Sequence, residues 1–544
     1  MNVLWIMADQ LRWDYLSCYG AKHINTPNLD WLASRGMRFN RAYVQSPICG
    51  PSRMSFYTGR YVRSHGSTWN GFPLRVGEPT LGDHLREHGI KVSLVGKTHM
   101  VPDREGMQRL GITPESTIGA LVSECGFEVV VRDDGTNHSD YPGRRGEDYD
   151  QYLRDNGMDG DNPWEEWANT ATGPNGELLS GWMLENAPYP ARVPKAHSES
   201  AWLTTRGIEY IDAQGDQPWL CHLSYIKPHW PYLVPAPYND MYSASDLPPV
   251  NRSDAERQHD HPLMQAWRDM RVSKSFSREH IRDTVAPVYM GLIKELDDQM
   301  GRLFDHLKKS KKLDDTMIVF CSDHGDNMGD HWLGEKDLFH DCSARVPLLI
   351  YDPRTEADTT RGTATDVLVE GIDLAPTFMQ YFGAQSKPHI IEGRSLDPIL
   401  HTSGFKPTAE TWRQYCVSEY DYSTRDARRS IGVDQNDARL AMIFDGRWKY
   451  IHVEKMRPIL FDLETDPQEL VDLASDPAYA DQLDRLSTLH YEWSRQHHNR
   501  ITRSAEVVEI MTDNNEPPGI IIGFANKEES AELGIKLPLS LIHI

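Results

Sequence analysis

The stretch with the clearest capacity for chemistry is residues 49–60, where Cys49 stands beside a predicted helix start. Pro51 suits the first turn of a helix, because its missing N–H has no partner there. Arg53 and the free N–H groups of that turn would face the thiol, and a helix N-terminus attracts anions. The pattern predicts hydrolysis of an anionic ester. For Cys49 alone, the alternative is a small buried residue before an ordinary helix.

Polar, reactive side chains follow four other predicted strands. They are Asp9 after residues 3–7, Lys97 and His99 after residues 90–95, His229 after residues 219–225, and Asp323 with His324 after residues 317–321. In open α/β sheets, ligands bind beyond the carboxyl ends of the strands. We therefore expect these side chains to meet Cys49 at one edge of a sheet.

Three of these residues are predicted ligands of one divalent cation: Asp9, Asp323 and His324. Calcium prefers oxygen ligands, whereas manganese accepts an imidazole beside carboxylates. The sequence therefore leaves Ca²⁺ and Mn²⁺ open. A turn or helix cap is the commoner role for a single aspartate, but the combination with Cys49 favours a metal.

Residues 49–60 contain Cys-x-Pro-Ser-Arg followed by Thr-Gly-Arg, which closely resembles the signature of the sulfatase family in the alkaline phosphatase superfamily. The resemblance covers most of the chain. It implies an alkaline phosphatase-like fold and a formylglycine made from Cys49 by a formylglycine-generating maturation enzyme. The hydrated aldehyde would be the nucleophile, and position 49 would join Asp9, Asp323 and His324 at the cation.

Further residues extend this resemblance. Lys97 and His99 stand in a motif similar to the family's Gly-Lys-x-His, whose lysine binds the ester anion and whose histidine contacts the formylglycine hydroxyl. His229 resembles the leaving-group histidine, and Lys336 the second substrate-binding lysine. Asn70 is similar to a substrate-contacting asparagine of the phosphonate monoester hydrolase branch. The resemblance thus implies catalytic roles for Cys49 and Arg53 together with these lysines and histidines.

Two positions depart from the common pattern. Gln10 stands where many members have a second Asp, and His324 stands where many have Asn. Both variants resemble the branch of phosphonate monoester hydrolases and choline sulfatases, whereas Lys97 and His99 favour sulfate esters. The resemblance therefore implies an arylsulfatase-type hydrolase of small anionic esters, promiscuous toward phosphonates. The alternative is a phosphonate monoester hydrolase or phosphodiesterase, and a different class would be an inactive anion-binding protein.

The composition is that of a globular protein of 544 residues, with 39% hydrophobic and 25% charged residues. The net charge of −23 argues against a nucleic-acid partner. The seven cysteines have neither a disulfide-framework spacing nor a zinc-finger spacing, which indicates reduced thiols. With no leader-like start and no apolar run of about 20 residues, we expect a cytoplasmic protein that does not enter a membrane.

The order of predicted elements indicates the architecture. Strands and helices alternate over residues 1–400, which predicts an α/β domain with a large, mostly parallel sheet flanked by helices. Residues from about 132 to 195 are rich in Asp, Gly, Asn and Trp and predict a loop insertion over the site. Trp164, Trp167 and Trp182 lie within it and weakly favour an apolar or aryl leaving group.

The pattern changes after residue 400. Short predicted strands at 416–420, 440–444 and 448–452, with an Asp-Gly turn, predict a smaller α+β domain over residues 401–544. The apolar tail from residue 516 would be a liability if exposed. It predicts packing on its own chain or in a homo-oligomer.

Overall fold

The computed structural model describes residues 1–135, 147–258, 261–496, 499–512 and 526–532. It divides into two compact units, of which the first is Met1–Ser386 with Ile391–Gln496. The second contains Lys387–Ile390 and the described residues after 496. Most of the predicted apolar tail lies outside the described residues, so the homo-oligomer that it suggested stays a prediction.

The strands are named in chain order. They are β1 (Asn2–Asp9), β2 (Met37–Tyr43), β3 (Lys91–Gly96), β4 (Glu128–Arg132), β5 (Thr170–Thr172), β6 (Leu178–Ser180), β7 (Trp219–Pro228), β8 (Thr316–Ser322), β9 (Arg345–Tyr351), β10 (Thr363–Thr365), β11 (Val369–Glu370), β12 (Cys416–Asp421), β13 (Arg439–Phe444), β14 (Trp448–Val453) and β15 (Ile459–Asp462).

The α-helices are named in the same way. They are α1 (Pro27–Arg35), α2 (Cys49–Thr58), α3 (Val62–His65), α4 (Leu81–Arg86), α5 (Arg104–Arg109), α6 (Thr117–Ser123), α7 (Glu147–Asp155), α8 (Glu199–Ala213), α9 (Pro262–Arg268), α10 (Arg271–Phe276), α11 (Glu279–Lys309), α12 (Asp341–Ala344), α13 (Leu374–Tyr381), α14 (Asp397–Leu400), α15 (Asp426–Ser430), α16 (Ala480–Ser494), α17 (Ala505–Met511) and α18 (Lys527–Glu532). None of these described helices is long and apolar enough to cross a bilayer.

Within the described residues, nine strands form a mixed, mostly parallel sheet, as the sequence predicts. Its order is β10-β2-β9-β8-β1-β7-β3-β4, and β11 also pairs with β2. The neighbours β8, β1, β7 and β3 run parallel, so their carboxyl ends lie along one edge. Strand β9 runs antiparallel to both β8 and β2.

The sheet is covered on both faces, which explains why its central strands are continuous apolar runs. Every residue of β1 is buried. Leu4 and Ile6 belong to one apolar cluster, which includes the buried side of α11, and Trp5 belongs to a second cluster with residues of α2 and α13. The alternation of β1 side chains between two cores fixes this strand in the middle of the molecule.

The predicted antiparallel strands after residue 400 are confirmed. Strands β12, β13, β14 and β15 form a four-stranded sheet in that order, and Asp445 and Gly446 lie in the turn between β13 and β14. Leu486 and Trp493 of α16 pack on this sheet. The domain division near residue 400 stays a prediction.

The predicted loop insertion is described from residue 147 onward, and that part is not loop throughout. It contains α7 and the ribbon of β5 and β6. Tyr149 and Leu153 lie one helical turn apart and are both buried in the core. Nine residues with one short apolar stripe carry too little periodicity to predict this helix.

Candidate active site

The four neighbouring strands β8, β1, β7 and β3 each end in a polar residue of the predicted site. Asp9 ends β1, Lys97 follows β3, His229 follows β7, and Asp323 follows β8. Helix α2 begins at Cys49 beside them, and all its residues are buried. The sheet edge therefore gathers segments that are up to about 300 residues apart in the chain, as expected for an open α/β sheet.

Asp9, Cys49, Asp323 and His324 form one buried group. Each offers a ligand atom, and these atoms all lie within 4.8 Å of one another. Cys49 Sγ is 3.0 Å from His324 Nε2, which is 3.6 Å from an Asp9 oxygen. Two carboxylates and an imidazole around a common point are a donor set that suits a divalent cation.

Arg53 braces this group from within α2. Its Nε donates to Asp323 at 2.7 Å, and one terminal nitrogen lies 3.2 Å from Asp9 Oδ2. The other terminal nitrogen donates to Ser224 Oγ at 2.7 Å and to the Lys97 carbonyl at 3.0 Å. The guanidinium is completely buried, so its contacts fix the two carboxylates rather than reach toward solvent.

Two lysines flank the thiol. Lys97 Nζ forms a 2.6 Å ion pair with Asp9 Oδ2. Lys336 Nζ lies 3.0 Å from Cys49 Sγ and 3.2 Å from His229 Nε2. Both lysines are buried, so their charges act at short range in a medium of low polarity.

His229 faces Lys336 with its Nε2. Its Nδ1 lies 2.6 Å from the Trp230 carbonyl, which only accepts, so Nδ1 carries the proton and Nε2 accepts from Lys336. Burial and the neighbouring Lys336 lower the pKa of His229 to about 3. The Trp230 ring centroid is 4.4 Å from that of His229 and 6.1 Å from that of Trp182 in the insertion.

Two other predicted site residues lie differently. The backbone N–H of His99 donates to Asp134 Oδ1 at 3.0 Å. Among the described contacts His99 makes no hydrogen bond to Cys49, and its buried Nδ1 has no partner. Asn70 Oδ1 accepts from the backbone N–H of Gly50 at 2.7 Å, which anchors the first turn of α2.

Gln10 links the group of Asp9, Cys49, Asp323 and His324 to Lys336, and the sequence analysis missed its partner Asp326. Its backbone N–H donates to Asp323 Oδ1 at 3.1 Å, its Nε2 to Asp326 Oδ2 at 2.5 Å, and its Oε1 accepts from Lys336 at 3.3 Å. Tyr232 also donates to Asp326 at 2.9 Å. Asp326 is a single Asp just after a strand-end motif, and nothing in the local sequence indicates that it contacts Gln10.

The charges of the site act on the thiol and the imidazole. Although burial opposes ionisation, Lys336, His324 and Lys97 hold the pKa of the Cys49 thiol well below its ordinary value. Burial favours a neutral imidazole, but Asp323 and Cys49 raise the pKa of His324 to about 9. The acidic group therefore attracts positive charge at the position where its ligand atoms converge.

Comparison with known families decides which protein type carries this site. A family model described as Sulfatase matches residues 1–384. The chain belongs to the sulfatase family. A second model, N-sulphoglucosamine sulphohydrolase, C-terminal, matches residues 329–496 of this sulfatase.

Relatives of this sulfatase span almost its whole length. The Multifunctional alkaline phosphatase superfamily protein PehA of Trinickia caryophylli is 33% identical, over 92% of this chain and 96% of its own. An Arylsulfatase of Clostridium perfringens is 29% identical, over 89% and 92%. The structure of the phosphonate monoester hydrolase SpPMH from Silicibacter pomeroyi superposes with a TM-score of 0.79 at 29% identity, over 92% and 96%.

Proposed function

We propose that this sulfatase hydrolyses small sulfuric esters of the aryl type, using a formylglycine made from Cys49 and one divalent cation. The observation that carries the proposal is the buried group of Asp9, Cys49, Asp323 and His324, whose ligand atoms lie within 4.8 Å of one another. A cation centre next to an activated position 49 is what attack on an anionic ester requires.

The residues present fit a divalent cation. The group contains two carboxylates and one imidazole, and its negative charge raises the pKa of His324 to about 9. A bound cation would replace that proton as the source of positive charge. Asp9, Asp323 and His324 would hold it together with position 49, and Ca²⁺ and Mn²⁺ both remain candidates. It would act as a Lewis acid on the reacting oxygens.

Position 49 needs to be more than a thiol for this reaction. As a hydrated aldehyde it would supply one hydroxyl for attack and a second that allows release of the product, which a plain alcohol could not do. A formylglycine-generating enzyme is the partner implied. We propose that His99 assists the second hydroxyl after a side-chain rotation, because its Nδ1 is buried without a partner.

The side chains around position 49 divide the remaining work. Lys97 and Lys336 would bind the non-bridging oxygens of the ester, and Arg53 would keep Asp9 and Asp323 in place. Lys336 Nζ donates to His229 Nε2, so this pair holds a proton close to position 49. We propose that the proton reaches the leaving oxygen from His229 Nε2, with Lys336 as its source. Asn70 would contribute by anchoring the first turn of α2.

Aromatic side chains support an aryl leaving group. Trp230 packs against His229, and Trp182 of the insertion packs against Trp230 and Trp164.

The second candidate function is hydrolysis of phosphonate monoesters or phosphate diesters. It is favoured by the Gln10 and His324 variants and by the similarity to PehA and to the phosphonate monoester hydrolase SpPMH. Tetrahedral anions share shape and charge, so we expect both activities with the sulfate ester preferred.

The test uses protein produced with a maturation enzyme. Peptide mass analysis should find Cys49 converted to formylglycine, and aryl sulfate should give a higher kcat/KM than aryl phosphonate monoester. Cys49→Ala should lose at least about 10³-fold in activity, whereas the matched control Cys18→Ala, at a half-buried cysteine outside the group around Cys49, should not. Full activity with wholly unmodified Cys49 would refute the mechanism, and preference for the phosphonate would establish the second candidate.

A further inference from the structure

A cleft that shares no residue with the group around Cys49 lies between β2 and the β13–β14 turn. Its volume is 620 Å³, within the range of small-molecule sites. Four arginines line it: Arg38 and Arg41 on β2, Arg345 at the start of β9, and Arg447 in the turn. We call this the arginine cleft. Three carboxylates also line it, those of Asp341, Asp366 and Glu464.

A bulge in β2 aims Arg41 into the arginine cleft. Along the β2–β9 pairing, Phe39 lies opposite Leu348 and Ala42 opposite Val346, so β2 has one extra residue there. With regular alternation Arg41 would face the apolar side with Phe39. The extra residue turns it to the same side as Arg38, and bulges commonly redirect a side chain in this way at functional sites.

Neutral partners hold the guanidinium groups of Arg38 and Arg41 in place, and Arg345 also contacts one. Arg38 stacks over the Tyr19 ring at 5.4 Å and donates from Nε to Asn40 at 3.0 Å. Arg41 donates to the Gly446 carbonyl at 3.1 Å, and Arg345 stacks over the Trp13 ring at 3.5 Å. Rings and carbonyls fix the orientation of these groups without cancelling their charge.

Two of the four arginines in the arginine cleft are paired with carboxylates. Arg345 pairs with Asp341 at 3.3 Å, and Arg447 pairs with Asp462 at 2.7 Å and with Glu464 at 2.5 Å. The remaining carboxylate of the lining, Asp366, accepts from Asn40 at 2.9 Å. Among the described residues, neither Arg38 nor Arg41 forms an ion pair, although both lie on one strand and face one cleft. Two oriented guanidinium groups without a carboxylate are suited to bidentate recognition of an oxyanion.

We propose that the arginine cleft binds a sulfate or phosphate oxyanion, free or as the head of a small organic ester, at a site separate from the reaction centre. The anion lies between Arg38 and Arg41 of β2 and faces Arg447 on the β13–β14 turn. It therefore joins strand β2 of the large sheet to the antiparallel sheet and stabilises their packing. This inference does not depend on the reaction that the protein catalyses.

The probe is inorganic sulfate, titrated calorimetrically against chloride at equal ionic strength. We expect two sulfates per chain, one at the reaction centre and one in the arginine cleft. Arg38→Gln with Arg41→Gln should leave one, and should lose the corresponding part of the sulfate-dependent rise in the unfolding temperature. Its kcat for an aryl sulfate should stay within twofold of the wild type.

The matched control removes two exposed arginines elsewhere, Arg109→Gln with Arg429→Gln, and should keep both sulfates. Lys336→Gln should weaken only the sulfate at the reaction centre. If the double variant in the cleft does not fold, Arg41→Gln alone should weaken the second sulfate at least tenfold. This variant should fold, because the hydrogen bond described for that side chain goes to the Gly446 carbonyl. An unchanged stoichiometry in these variants, or a single sulfate that Lys336→Gln removes, would overturn the proposal.

Discussion

At the scale of single residues, the structure adds most to the role of Gln10, which the sequence shows only as a departure from the common second Asp. It has a positive φ of 65°, a conformation uncommon for a residue with a side chain. In that conformation its backbone contacts Asp323 while its amide spans Asp326 and Lys336. Asp326 thereby orients the amide, and the amide oxygen in turn positions the Lys336 ammonium beside Cys49.

The first prediction concerns this positioning residue. Asp326 Oδ2 accepts from both Gln10 Nε2 and Tyr232 Oη, and Oδ1 accepts from the Met328 N–H. The amide nitrogen of Asp326→Asn replaces one of these oxygens, so at least one donor loses its acceptor and the orientation of the Gln10 amide is disturbed. We expect kcat/KM for an aryl sulfate to fall about 10- to 100-fold, the cost of losing one hydrogen bond in a charged network. Tyr232→Phe removes the longer bond from Gln10 Nε2 to the Tyr232 hydroxyl at 3.2 Å but keeps the one to Asp326, and should change kcat/KM less than about threefold. Wild-type kinetics in Asp326→Asn would show that the amide needs no orientation.

The second prediction concerns the proton near His229. His229→Ala should slow phenyl sulfate about 10²- to 10⁴-fold, because phenolate is a poor leaving group that needs a proton. The 4-nitrophenyl ester should lose much less, since its leaving group departs as the anion. Steady-state kcat for the two esters measures this difference. Equal losses for both esters would contradict a role in protonation.

Sequence could predict the residues that stand in local motifs, and could not predict the ones that act through distant partners. Asp9, Cys49, Asp323 and His324 follow strands or start a helix, so fold class alone gathers them. Asp326 meets Gln10 across a separation of 316 positions, and neither residue has a local pattern that indicates the other. The position of His99 depends on a loop conformation that spacing does not encode.

At the scale of the elements, α11 carries a buried carboxyl that its apolar pattern does not indicate. Its apolar stripe predicts residues 286–307, and the helix is longer, Glu279–Lys309. Glu295 is buried on this helix, where Ser198 Oγ donates to it at 2.6 Å. Burial raises the pKa of Glu295 to about 7. This carboxyl therefore keeps its proton in the folded chain at a pH where the unfolded chain has lost it.

The third prediction follows from that shift. Below the unfolded pKa of 4.5 both states hold the proton, and between 4.5 and 7 only the folded state does, so the contribution to stability decreases as pH rises through this window. The loss amounts to about 3 kcal/mol at about 1.4 kcal/mol per pKa unit. Glu295→Gln removes the titration but keeps an acceptor for Ser198.

Denaturant unfolding at pH 5 and pH 8 measures the effect. Relative to the wild type, Glu295→Gln should gain stability at pH 8 and gain less at pH 5. Glu209→Gln is a control on the exposed side of α8, and it should show no such dependence. A wild-type difference that persists unchanged in Glu295→Gln would assign the pH dependence to other groups.

Strand existence was predictable and strand direction was not. Every residue of β8 is buried, and it appears in the sequence as a short apolar run within one or two residues of its bounds. Strand β9 has the same apolar character, yet it runs antiparallel to both neighbours, because direction depends on the connection from residue 323 to 344. That connection carries Lys336 and has little periodicity of its own.

At the scale of the whole molecule, two buried carboxylates lie where a cation would stabilise the fold. Asp9 and Asp323 converge in the group around Cys49, beside the Arg53 and Lys97 charges that already pair with them. Positive charge bound there would join the ends of β1 and β8 to the start of α2. The stability of the folded chain should therefore depend on the concentration of a divalent cation.

The fourth prediction is that removing divalent cations with a chelator lowers the unfolding temperature. Restoring Mn²⁺ or Ca²⁺ at 100 times its dissociation constant should raise the free energy of unfolding by about 3 kcal/mol. Asp9→Asn should show a smaller response because it loses one ligand, whereas Asp366→Asn, outside the group, should respond like the wild type. Thermal unfolding of treated and restored protein measures this. An unfolding temperature that changes neither with the chelator nor with the restored cation would contradict a bound cation.

The shared edge of β8, β1, β7 and β3 has a consequence for how such proteins diversify. Hydrogen-bonded strands keep a spacing of about 4.8 Å, so the distances between the backbone positions of the reacting side chains are fixed. Selection for a bulkier acid group or a different alcohol cannot increase these distances without breaking hydrogen bonds of the sheet. It must instead exchange side-chain lengths at the tips of the strands or rebuild the segments above them.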